Sequence, residues 1–124
     1  MQPQAVRLFL LVEGAAFILA ALVHSGELIK GYEHRQAETA ESAIGIVLLL
    51  ALTLMRAKPA WGRTIAVAAQ GFALFGTAVG MFTIAIGIGP RTVPDVAYHV
   101  TMVIVLLVGL AVAIGKKTAG APSA

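Results

Sequence analysis

Four stretches of about twenty apolar residues, joined by short polar connections, constrain this chain more than any other feature. A bilayer core about 30 Å thick is crossed by about 20 residues of α-helix at 1.5 Å each. Span one reads as residues 5–28, interrupted by Glu13, and span two as residues 37–55, opening on Glu38 and Glu41. Span three, residues 64–88, carries no charge, and span four, residues 95–115, is entered through Pro94 and Asp95, a helix-start signal. Short connections force neighbouring helices antiparallel. The sequence therefore predicts an all-α integral membrane protein, a four-transmembrane-helix antiparallel bundle running up-down-up-down. Composition agrees, since 12% of the 124 residues are charged, about half the roughly 25% of a soluble domain. A soluble bundle would also show polar outer stripes, which spans three and four lack. The apolar stretch of span one is too long for a signal peptide and no convincing small-x-small cleavage site precedes a mature domain, so it reads as a retained span.

The formal net charge of +3 comes from nine Lys and Arg scattered at segment ends, not gathered into a patch, which argues against nucleic acid as a partner. Charge instead sets orientation. Arg7, Arg56, Lys58, Arg63, Lys116 and Lys117 fall on one side, and Lys30, Arg35 and Arg91 on the other. By the positive-inside rule both termini are expected in the cytoplasm, in a multi-pass protein of the cell (inner) membrane, with Trp61 as an interfacial anchor. One membrane domain covers residues 1–115, and residues 116–124 read as a disordered cytoplasmic tail. There are no cysteines, hence no disulfides or thiolate ligands. Residues 14–50 and 71–107 align without gaps at an offset of 57, with Glu13 on Gln70 and Glu38 on Asp95, compatible with a direct repeat of two hairpins.

With this orientation all three histidines and five of six carboxylates fall near the outer side: His24, Glu27, Glu33, His34, Glu38, Glu41, Asp95 and His99. Ionisable residues inside membrane segments are costly and mark functional sites by default. At 100° per residue each span has one polar stripe: Glu13, Ala20, His24 and Glu27; Glu38, Glu41, Ser42 and Gly45; Gln70, Thr77 and Met81; Asp95, His99, Met102 and Leu106. Lipid avoids such stripes, so they are expected to face inward together. His24, Glu41 and His99 lie one turn inside the outer helix ends, which suits a 2-His-1-carboxylate site for a divalent or copper ion. Glu27, Glu38 and Asp95 lie one turn outward, placed to orient the imidazoles. His34 is positioned to cap the site, and Met81 and Met102, a turn deeper, would suit Cu(I).

Two other readings fit the same residues. His24 and His99 could ligate a haem b axially, with Gly45, Gly76 and Gly80 making room for the ring and Lys30, Arg35 and Arg91 near its propionates. Alternatively no ligand is bound, carboxylates at helix N-termini are favoured by the dipole, and the histidines merely hold helices together.

Glu13 and Gln70 form a deeper layer, each about 12 Å in from the inner side at 1.5 Å per residue. They are expected to hydrogen-bond across spans one and three, with Glu13 neutral, because an isolated charge in low dielectric is costly. A lone membrane-embedded Glu in the first span of a four-span chain of this length is similar to the small multidrug resistance transporters. That resemblance implies a proton-coupled carrier in which Glu13 binds a cationic substrate and protons in alternation, with two chains forming the pore. The family's aromatic and glycine pattern is not matched in span three, and the outer histidine layer is not part of it. No phosphate-binding glycine loop or nucleophile–His–acid spacing is present, so an enzyme is less expected than a binder. Four slender Ala- and Gly-rich helices suggest a homo-oligomer, most simply a dimer, or a subunit of a larger membrane complex.

Overall fold

A computed structural model describes residues 1–89 and 91–115, so the expected tail, with Lys116 and Lys117, lies outside the described residues. Its helices are α1 (Pro3–His24), α2 (Arg35–Ala57), the short α3 (Pro59–Trp61, a single 3₁₀ turn), α4 (Gly62–Ala85) and α5 (Val93–Ile114). The four long helices each have the length and composition to cross a membrane.

Helix ends follow local chemistry. Proline at the first turn starts α1 and α5, where no amide donor is missed. The His34 imidazole caps α2 by accepting the Ala37 N–H at 3.0 Å, and Thr92 accepts the Asp95 N–H at the head of α5. Both helices carry an acidic residue in the first turn, Glu38 and Asp95, on the favourable side of the dipole. Two ends stop short of the apolar stretches. Helix α1 ends at His24 because Gly26 takes φ +82°, and the His34 N–H then returns to the His24 carbonyl at 2.9 Å. Helix α4 ends at Ala85, before the positive-φ Gly87. Arg91 folds back and donates to the Ile84 and Ala85 carbonyls, both at 2.7 Å, satisfying acceptors that a helix end leaves open.

The long helices form a ring in which α1 contacts α2, α2 contacts α4, α4 contacts α5, and α5 contacts α1, with a small diagonal contact between α1 and α4. At one end the Met1 ammonium donates to the Gly115 carbonyl at 2.6 Å, Arg63 donates to the Ile114 carbonyl at 2.8 Å, and Gly62 faces Met55. At the other end meet His24, Glu41, Asp95 and the Gly80 region of α4.

Small residues govern the packing. A Cβ on Gly14 would stand 2.8 Å from Leu49 and 3.5 Å from the Gly45 carbonyl, and one on Gly45 would stand 2.8 Å from Ile18. The backbones of α1 and α2 therefore come nearly into contact, the packing that small residues permit where lipid gives helices no hydrophobic drive to associate. Leu10, Phe17, Leu48, Met55 and Leu106 fill the interior. Leu8, Leu19, Phe75, Phe82 and Ile104 project outward on all sides of the bundle. A surface of that kind suits lipid.

Candidate functional site

Each long helix turns one polar stripe inward, and the stripes meet in two layers. In the deeper layer the Gln70 amide donates to both Glu13 oxygens, at 3.1 Å and 3.3 Å, and both side chains are fully buried. These residues are the counterparts of the offset-57 alignment, so equivalent positions of α1 and α4 meet across the bundle. Helix α5 closes over them at Gly109, where a Cβ would collide with Gln70 Nε2 and Glu13 Oε1. The Gln70 carbonyl oxygen is buried without a partner.

The second layer lies at the His24 end. His24 Nδ1 donates to Glu41 Oε2 at 2.6 Å, and His24 Nε2 faces Asp95 Oδ1 at 3.3 Å. Thr92 donates its hydroxyl to the other Asp95 oxygen. All three members of the chain are at most 6% exposed, and they come from α1, α2 and α5. Both ring nitrogens of His24 thus face a carboxylate oxygen, one from α2 and one from α5. In a water-poor interior such a network holds three helices in one register, because any unmatched member would be left buried and unpaired.

Around the chain, His99 Nδ1 donates to the Asp95 carbonyl at 2.7 Å. In a neutral ring that leaves Nε2 as an acceptor, and this nitrogen lies against α4 where Gly80 has no side chain. The His34 ring stands edge-on to His24, centroids 6.4 Å apart. Because its Nδ1 accepts a helix amide, a neutral His34 keeps its proton on Nε2. His24, His34, His99, Glu41 and Asp95 all border one cavity of about 340 Å³ between α2, α4 and the connecting segments. Glu41 borders this cavity, and its second oxygen, Oε1, is buried without a hydrogen-bond partner.

The expected site residues are thus redistributed. His24 and Glu41 are in direct contact. Asp95, expected behind the imidazoles, is itself the second partner of His24, because the chain enters α5 at Thr92 and turns the first carboxylate inward. His99 borders the same cavity but bonds its own helix. Glu27 is exposed, its backbone N–H bonded to the Ser25 hydroxyl, because α1 has already ended. Glu38 is half-buried at the start of α2 and has no side-chain hydrogen bond among the described residues. Met102 is buried and lines, with His24, a groove between α1 and α5, while Met81 borders neither that groove nor the cavity.

Among the described residues no three His, Asp or Glu side chains converge in the way a bound ion needs, since both His24 nitrogens already face carboxylates. For the same reason His24 offers no free nitrogen to a haem iron. Two further residues belong to the site. Tyr98 packs edge-on against Phe17 (6.1 Å) and His99 (5.3 Å) with its hydroxyl buried and unpartnered. Gly80 gives His99 its place. Tyr98 precedes the stripe-forming His99 by one position, so helical spacing set it aside. Comparison of the chain with known protein families, curated proteins and solved structures gives no match.

Proposed function

We propose that this is a small multi-pass protein of the cell membrane, up-down-up-down with both termini cytoplasmic, that binds a small cation at its outer end in exchange for a proton. The observation that carries the reading is Glu41: one oxygen is fixed by His24, while the other is buried and unpartnered beside a 340 Å³ cavity. A buried carboxylate oxygen without a partner is costly, and two occupants would relieve it, a proton or a cation. Binding one disfavours the other, which is the elementary coupling of a proton-linked carrier. The Glu41–His24–Asp95 chain offers the displaced proton a buried path over gaps of 2.6 Å and 3.3 Å. Glu13 and Gln70, sealed under Gly109, serve in this reading as the packing layer beneath the site.

The test uses the purified protein in lipid nanodiscs. Methylammonium, Zn²⁺ and Cu⁺ are titrated in weak buffer while proton release is recorded. Binding of one of them is expected with release of up to one proton and with affinity falling as the pH is lowered. Glu41→Gln is expected to abolish the release. Cation binding without proton release, or release unchanged in Glu41→Gln, would refute the coupling.

A second reading rests on a separate observation, that all three histidines border the same cavity. A divalent or copper ion would then be held by His24, His99 and Glu41 after the His24–Glu41 bond opens. Elemental analysis of protein purified without chelator decides it, with the ion lost in His99→Ala. A dimer, or membership of a larger membrane complex, is the corresponding proposal for its partners, and cross-linking in the membrane tests it.

A further inference from the structure

The other side of the Glu41–His24–Asp95 chain is not covered by protein. A groove of about 570 Å³ runs between α1 and α5, the neighbouring long-helix pair with the sparsest packing. Its walls are apolar, formed by Ala16, Leu19, Ala20 and Met102 with the Tyr98 ring, and its inner side is made by His24 and Asp95. Leu19 and Ile29, 57% and 51% exposed, border the opening. At this depth the groove faces the lipid phase sideways.

The polar spot in this apolar slot has a definite character. The Asp95 side chain is 7% exposed, and its oxygens already accept from His24 and Thr92. Each keeps acceptor capacity, which neither hydroxyl on the groove wall, Tyr32 or Tyr98, takes up among the described residues. The complement of an open carboxylate oxygen is a hydrogen-bond donor. An ammonium head would have to bring its charge through hydrocarbon at high cost, whereas a hydroxyl enters neutral. An aromatic carrier of that hydroxyl fits the Tyr98 ring and the polarisable Met102 sulfur on the walls.

We propose that the groove between α1 and α5 binds a membrane-dissolved phenolic molecule, quinol-like in its head, which donates its hydroxyl to Asp95 and lays its ring and tail along Ala16, Leu19, Ala20 and Met102. The groove lies across His24 from the cation cavity, so the proposal stands or falls independently of the reading above.

The experiment compares 4-nonylphenol with 4-nonylanisole, in which a methyl replaces the donating hydrogen, on the wild-type protein in nanodiscs, with protein-free discs as the partition blank. The phenol is expected to bind at least about tenfold more tightly, the worth of one hydrogen bond to a charged acceptor. Ala20→Leu, which fills the groove, is expected to abolish that binding, and Ala15→Leu on the exposed side of α1 to leave it intact. Equal binding of phenol and ether would overturn the proposal, because the groove would then be an apolar slot only. Unchanged phenol binding in Ala20→Leu would overturn it as well, by placing the molecule elsewhere. The wild-type comparison decides the polar contact even if a variant fails to fold.

Discussion

Gly109→Ala probes how the deeper layer is built. A Cβ at this position of α5 would collide with Gln70 Nε2 and Glu13 Oε1 and stand 3.1 Å from Phe9 Cδ1. Neither polar side chain has somewhere to go, since both are fully buried and joined at 3.1–3.3 Å. Overpacking of a core costs about 1–3 kcal/mol, and loosening the Gln70–Glu13 bond adds about 1 kcal/mol. Replacing a mid-helix glycine by alanine returns about 1 kcal/mol, so the net loss is about 1–3 kcal/mol. Gly71, beside Gln70, supplies the control, since a Cβ there meets nothing within 4 Å. Gly71→Ala is therefore expected to be neutral or to stabilise by up to about 1 kcal/mol. Equilibrium unfolding in mixed micelles with SDS, followed by circular dichroism, measures both. The double variant Gly109→Ala with Gln70→Ala should recover part of the loss, because the shorter side chain vacates the space the new methyl needs. If Gly109→Ala proves as harmless as Gly71→Ala, helix α5 does not clamp the pair and the account of this layer is wrong.

Two other outcomes follow from the loops and the charge distribution. The Glu33 carboxyl is held below the usual carboxylate range by its own backbone N–H and that of Gly31, with Lys30 assisting against a small desolvation. A depressed folded-state value means that the loop's anchoring is present above the ordinary carboxylate value of about 4.3 and is lost as pH falls through the lower folded one. The Gly31 amide shift should report a midpoint below about 4.3, and a midpoint at or above it would refute the contact. For orientation, a chain without cysteine gives a silent background. A membrane-impermeant maleimide applied to whole cells should label Glu27→Cys and spare Lys58→Cys; the reverse pattern would invert the topology.

How much of this was legible beforehand differs between the two layers. Glu13 and Gln70 lie alone in apolar stretches at equal depth, so pairing was the cheapest fate for both and could be read from position. The cluster at the His24 end could be read as a neighbourhood but not as a set of bonds. Helical spacing placed His24, Glu41, Asp95 and His99 on inward stripes, yet spacing does not say which stripe atoms meet. Asp95 became a direct partner of His24 because of where α5 begins, and Glu27 was lost to the surface because α1 stops at His24.

Taken alone, the sequence determined the four long apolar helices and the inward polar stripe on each. Both follow from local physics, because backbone polar groups in lipid must be satisfied within a helix and charges must turn away from lipid. Tertiary structure decided what no single helix contains. It set the closeness of α1 to α2 at Gly14 and Gly45, the lid that Gly109 forms over Glu13, and the occupation of both His24 nitrogens by carboxylates from two other helices. It also left a cavity on one side of His24 and a lateral groove on the other. Such features depend on distances between residues tens of positions apart, where shifts of about an ångström decide whether two groups bond or miss.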